Sequence, residues 1–394
     1  MQEFMKQKLV FAILAGLLCL CTVIVCYKVK LDFRPGVEGL FVLEGEQGAW
    51  LELTDDLVPE DAGRLIWAKP LYPLQSMVTY SSSNTPGKPH FDFKWDAAYG
   101  RGYIKTSWPD RTKLVINLGR FKDSNGKYPH GLFIGGGIPP SDPDYQALNQ
   151  DATGMAYFDG RRWYHIWCNS NEGLVSPAQP FLPSFPSDWI YRGSWLRENN
   201  GRDVTIESRH SMKLNNIPLD MNRFLFYTAG NRYAVLEIEL INRGSRPVPF
   251  QYQYGDEPWI GDFGSSAGDV GWAGSELITS ERILDLNRYC YFGMFDYGNE
   301  LAGERHNFTG VANFIEWPKE ERPTRAYVSN YSGGVSNPDK AVPLTHRYNR
   351  FIGVTYGPGV LEPGKPFHIT LAIGMADAQP MTGMPVKPVT ELNP

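Results

Sequence analysis

Residues 255–272, GDEPWIGDFGSSAGDVGW, set four carboxylates (Asp256, Glu257, Asp262 and Asp269) among five glycines, Trp259, Phe263 and Trp272, with no lysine or arginine between them. Sugars present apolar C–H faces to aromatic rings and hydroxyls to carboxylates. On that chemistry Trp259 and Trp272 read as stacking platforms and Asp256, Asp262 and Asp269 as acceptors. Calcium also takes clustered carboxylate oxygens, although the D-x-D-x-D-G register of a dedicated calcium loop is absent. Acid/base work requires a carboxylate or histidine pair that the fold brings together. Glu257, beside Trp259, is the first catalytic candidate, followed by His210 in IESRHSMKL and His306 in GERHNF. The alternative is a solvated loop with both tryptophans buried beneath it.

Other chemistries are poorly provided for. His165 and Cys168 form an isolated H-x-x-C with no second pair near, which reads as a core histidine beside a small apolar cysteine, not as a zinc site. No G-x-S-x-G is present for serine hydrolysis. The triple glycine 135–137 runs into Ile-Pro-Pro, which cannot open a helix, so it builds a loop and cradles no phosphate. Asn307-Phe-Thr and Asn330-Tyr-Ser fit the glycan-acceptor pattern. Cys168 and Cys290 are disulfide candidates if the compartment is oxidising; two free buried thiols are the other reading.

The elements that position these residues begin with residues 9–27, LVFAILAGLLCLCTVIVCY, uncharged and flanked by Lys6, Lys8, Lys28 and Lys30. A helix of that length is roughly 28 Å long, about the thickness of a bilayer's hydrocarbon. No small-residue cleavage site follows, so the segment reads as an uncleaved anchor. Lysines on both sides give no orientation, and a large domain behind a short N-terminal tail is expected outside the cytoplasm. Without those four lysines and Glu3, the 38 basic and 43 acidic residues leave a formal balance of −8 for residues 31–394. Nucleic acid, which calls for a basic face, is excluded as a partner.

Beyond the anchor the pattern is of period 2, recurring from about Leu114 to Met375, and the expected fold is all-β: a large antiparallel β-sandwich after a single N-terminal transmembrane helix. The clearest unit, VLEIELINRGSRPVPFQYQY, predicts a hairpin turning at Asn242 to Pro247, with Pro249 marking an edge or a bulge. Further strands are expected in 113–119, 154–168 with an Asp159-Gly160 turn, 289–298, 351–357 and 366–375, and a hairpin turn at Asn125-Gly126. The organisation this suggests is an anchor (1–30), an N-terminal β region (31–180), a sandwich region (181–377) and a C-terminal tail (378–394), with a seam in Ser176 to Trp189.

Two pieces of the chain, LEIELINRGSRPVPFQYQYGDEPW and VLEPGKPFHITLAIGM, resemble the galactose mutarotase-like β-supersandwich over about residues 200–375. The resemblance implies a supersandwich-like fold with a sugar site near the end of the strand that leads into Glu257. Aldose epimerases of this fold carry a histidine just before the Pro-aromatic pair, where this chain has Glu257 before Pro258-Trp259, so their acid/base pair is not evident. Two function classes follow: a membrane-anchored carbohydrate-binding or carbohydrate-processing protein, or a structural or assembly protein of the cell envelope.

Overall fold

The computed structural model describes residues 78–82, 86–96, 101–118, 154–167, 172–175, 189–261, 266, 268–297, 309–330, 338, 340–344, 350–379 and 381–394. These strands fall in one compact unit, Ser76–Pro394. The apolar segment 9–27 and the Asn125-Gly126 turn lie outside the described residues, among which no helix is long and apolar enough to cross a membrane.

The described secondary structure is nearly all antiparallel β. The first sheet is a six-stranded meander of β1 (Val78–Ser81), β2 (His90–Asp96), β3 (Arg101–Ser107), β4 (Lys113–Leu118), β5 (Gly154–Phe158) and β6 (Trp163–Trp167). The expected Asp159-Gly160 turn joins β5 to β6, and the Asp159 carboxylate accepts the backbone N–H groups of Arg161 and Arg162. Then come β7 (Gly173–Val175), β8 (Ile190–Asn199), β9 (Asp203–Leu214), β10 (Ile217–Thr228), β11 (Tyr233–Asn242), β12 (Val248–Asp256), β13 (Asp269–Ala273) and β14 (Glu276–Ile278). The last strands are β15 (Arg282–Ile283), β16 (Tyr291–Asp296), β17 (Ala312–Glu316), β18 (Arg325–Ser329), β19 (Phe351–Leu361), β20 (Pro366–Ala378) and β21 (Pro385–Val386). A ten-stranded sheet runs β14-β13-β16-β17-β20-β11-β10-β9-β8, with β21 on β20; a five-stranded sheet runs β15-β18-β19-β12-β7.

The predicted hairpin at Asn242 to Pro247 is corrected: β11 pairs with β10 and β20, whereas β12 pairs with β19 and β7. The turn is an arch that carries the chain from one sheet to the other. A second arch, between β19 and β20, lies against it. Asn242, 1 % exposed, ties them together. Its Nδ2 donates to Arg246 O (2.9 Å) and Leu361 O (2.8 Å), its Oδ1 accepts from Gly244 N–H, and its carbonyl accepts from Gly364 N–H. Alternation alone cannot distinguish hairpin from arch, because both bury one face of each strand. Pro249 stands beside an irregularity in the β12–β19 register, between Phe250 and Tyr252.

The core lies between the sheets. Phe250 of β12 meets Phe367 of β20 edge-on at 4.9 Å. Glu172, just before β7, pairs with Arg223 of β10 at 2.8 Å and accepts the Tyr252 hydroxyl; all three side chains are fully buried. Burial raises the Glu172 pKa and Arg223 opposes the rise. The six-stranded sheet joins the same core, with Trp167 Nε1 donating to Gly374 O at 3.2 Å and Asn313 Nδ2 to Ile166 O at 2.9 Å.

The outer face of the ten-stranded sheet carries Val235, Val270, Trp272, Phe295, Phe314 and Ala372, and Leu392 packs on it. The C-terminal segment is held there by the buried Glu316 carboxylate, which accepts Thr390 Oγ1 (2.6 Å) and Asn393 Nδ2 (3.0 Å) and pairs with Lys387 Nζ (3.1 Å).

Candidate functional site

The stretch that opens the sequence question leaves the end of β12 and docks against three other elements. Gly261 exchanges both backbone hydrogen bonds with His165 of β6, each 3.0 Å long, and Ile260 N–H donates to Asp269 Oδ2 of β13 at 3.1 Å. Gly261 packs so closely that an added Cβ would sit 2.7 Å from Asp296 Oδ2 and 2.9 Å from Thr309 Oγ1. Only glycine fits this approach, and its φ of +89° is one that other residues rarely adopt.

Within this docked segment Trp259 is half-buried and left-handed, with φ +44°. That conformation costs a non-glycine residue about 1–2 kcal/mol. Its indole Nε1 donates to Glu257 Oε1 at 2.7 Å, and Glu257 is 4 % exposed. The bond fixes the ring's orientation and leaves part of the tryptophan in reach of solvent.

Asp269 and Asp296 are register partners across β13 and β16, and both are fully buried. Thr309 donates its backbone N–H (3.2 Å) and its hydroxyl to Asp296 Oδ2. Arg350, immediately before β19, is 1 % exposed and donates Nη1 to the main-chain oxygen of Asp269. Its Nε and Nη2 have no hydrogen-bond partner among the described residues. Burial lowers the Arg350 pKa, and the charges of Asp269 and Asp296 act against that shift. Asp256 and Ile352 are register partners of β12 and β19, so Pro258 and Arg350 each stand two residues past that pair. His165 is buried, and desolvation pushes its pKa down to about 4, so it is neutral near pH 7.

The structure thus brings Glu257, Trp259 and Asp269 together and separates them from other expected members. Trp272 offers no stacking face: it is fully buried on the outer side of the ten-stranded sheet, beside Tyr291, with Nε1 donating to Asn313 O. His210 is buried between the rings of Trp189 and Tyr191, each 5.7 Å away. Its row across the sheet runs through Met221 and Leu240 to Phe367, at the arch end. Glu257 follows Asp256, the far end of β12, which lies about 26 Å along the strand from Val248 at 3.3 Å per residue. His210 and Glu257 therefore form no acid/base pair.

Asp262, His306 and Cys168 lie outside the described residues, and Asp256 ends β12. Cys290 is a half-buried free thiol whose pKa is raised, first by burial and then by Glu316. Among the described residues no group of three or more His, Cys, Asp or Glu side chains converges to hold a metal ion. Asn330 is buried and donates Nδ2 to Pro343 O, so it is closed to a glycan. Sequence reasoning missed His165 as a support of the loop, and Asp296, Thr309 and Arg350 altogether.

No family model matches the chain, and no curated protein matches it. Galactose mutarotase-like and aldose 1-epimerase proteins are among the solved structures it is similar to. A putative aldose 1-epimerase from Klebsiella pneumoniae shares 11 % identity at a TM-score of 0.34, over 73 % of this chain and 84 % of that one. The GalM/aldose epimerase homologue from C. elegans shares 11 % at 0.33, over 77 % and 100 %. A galactose mutarotase-like protein from Clostridium acetobutylicum shares 9 % at 0.32, over 77 % and 100 %. Scores of this size assign no activity, which has to be read from the chain's own residues.

Proposed function

We infer that the chain is a carbohydrate-binding protein, tethered to a membrane by residues 9–27 with its β-sheets outside the cytoplasm, and that Trp259 is the stacking platform of its sugar site. The observation that carries the reading is the half-buried Trp259 held in a left-handed conformation, with its indole N–H fixed by the nearly buried Glu257. Strain of this kind persists only where the surroundings impose it, and it concentrates at ligand sites. A flat apolar ring with carboxylates beside it is what a sugar's C–H face and hydroxyls require. Glu257 acts here by orienting the ring. The tether rests on the length and lack of charge of residues 9–27.

A glycan panel probed with the full chain in detergent micelles tests the reading. Saturable binding to one sugar class, lost in Trp259→Ala, is the expected result. Full binding retained by Trp259→Ala would refute the platform. No binding to any glycan would favour an envelope-assembly role.

A further inference from the structure

We propose that the outer face of β8 and β9 is a second binding site, which takes an oligosaccharide bearing carboxylates. β8 is one edge of the ten-stranded sheet, and β13, on which the Trp259 segment docks, lies near the other, so the two sites are separate. The pairing of β8 with β9 is interrupted twice, between Tyr191 and Gly193 and between Leu196 and Glu198, and the inserted residues are Arg192 and Arg197. A bulge gives up regular pairing and re-aims a side chain. Both arginines turn to the outer face: Arg192 Nε donates to Ser211 Oγ at 2.8 Å, and Arg197 pairs with Glu207, the register partner of Trp195. Arg209, on the same face of β9, pairs with the other Glu207 oxygen. The Arg197 and Arg209 guanidiniums stand 5.5 and 5.2 Å from the Trp195 ring and hold it by cation–π attraction. Gly193 makes room for the ring: an added Cβ would come within 2.9 Å of Trp195 Cζ2, and its φ of +139° suits glycine. The half-buried indole therefore covers Gly193, with two arginines against it.

Charge and shape name the ligand. Glu207, 1 % exposed, is engaged by Nε and Nη2 of Arg197 and by Nε of Arg209. Arg192 is exposed and the Arg209 side chain is 30 % exposed, so both guanidiniums reach solvent. Glu198, the other carboxylate of this part of β8, accepts from Asn200. Three guanidiniums against two carboxylates leave a basic patch around a tryptophan. A planar donor fork takes a carboxylate through two parallel bonds, and an aromatic face takes sugar C–H groups. Ser211 and Glu207 are about 13 Å apart along β9, room for more than one sugar ring. A membrane surface fits less well: the same face continues from Glu207 through Phe224 to Glu237 and from Arg209 through Asn222 to Glu239, so a lipid plane would meet carboxylates too. An added protein strand also fits less well, because the two bulges break the regular edge it would pair with.

Trigalacturonic acid, galactotriose and a hexaglutamate peptide are to be titrated into the full chain in detergent micelles. The same titrations are run on Trp195→Ala, Arg209→Gln and Trp259→Ala, with melting temperatures recorded for each. The wild type is expected to bind trigalacturonic acid about tenfold more tightly than galactotriose or hexaglutamate, the worth of one charge-assisted hydrogen bond. Trp195→Ala and Arg209→Gln are each expected to lose about tenfold in that affinity with the melting temperature little changed, and Trp259→Ala to bind as the wild type does. Equal affinity for galactotriose overturns the acidic ligand, and equal affinity for hexaglutamate reduces the patch to a charged surface and overturns the saccharide. Wild-type affinity in Trp195→Ala or in Arg209→Gln, or loss in Trp259→Ala, places the ligand elsewhere and overturns the site. Should Arg209→Gln not fold, Trp195→Ala and the wild-type comparison decide. If trigalacturonic acid is not bound at all, the inference falls, while the Trp259 reading stands or falls by its own glycan panel.

Discussion

Trp259 occupies a backbone conformation that glycine adopts freely and tryptophan does not, with φ +44°. If the tryptophan is kept for a ligand, replacing it by glycine relieves the backbone and removes the platform. Trp259→Gly is expected to be about 1 kcal/mol more stable than Trp259→Ala in urea unfolding, while both lose glycan binding. His165 gives a pH prediction. Its folded pKa of about 4 lies below the reference 6.5, so the unfolded chain takes up the proton first. Its contribution to stability is whole above pH 6.5 and falls as pH drops toward about 4, by roughly 3 kcal/mol in all. Melting temperature followed from pH 7 to pH 4 is expected to drop, and His165→Gln to flatten part of that drop. At this scale the sequence was legible in part. Glu257 and Trp259 stand two residues apart and announce themselves, whereas Arg350 meets Asp269 from 81 positions away and carries no local signal. Trp272 misleads because a short strand buries it on the face that the C-terminal segment helps to cover, and one glycine-rich stretch looks alike on both sides of that boundary.

Period-2 alternation located the strands of the elements well, since each buries one face: β9 alternates buried and half-buried residues over most of its length, as does β10. It could not name the neighbours. The Asn242 to Pro247 turn looks like a hairpin because glycine, proline and asparagine punctuate hairpins and arches alike. What makes it an arch is the second connection, 361–366, against which Asn242 is bonded. Asn242→Ala leaves Leu361 O without its donor in a buried place and removes the part-buried bond to Arg246 O, at a cost of about 1–3 kcal/mol. Urea unfolding is expected to register that loss. Asn242→Asp, which keeps an acceptor for Gly244 N–H and loses both donors, is expected to recover little of it.

For the whole molecule, the all-β class follows from composition and period, and the partition into three sheets does not, because it depends on contacts between distant strands. The apolar run 9–27 is expected to keep the full chain in the membrane fraction through a high-salt wash, with an intact mass that includes residues near Met1. Release of the chain by salt, or a mature start after residue 27, would contradict the tether. The account turns on whether Trp259 serves a ligand or the core. The direct measurement compares Trp259→Ala with the wild type in the full chain, recording affinity for the best glycan of the panel beside the melting temperature. The prediction is a loss of about 1–3 kcal/mol in binding, the scale of one large apolar contact, with the melting temperature little changed. Collapse of the fold with glycan binding unaltered at permissive temperature would place Trp259 in the core and contradict the site.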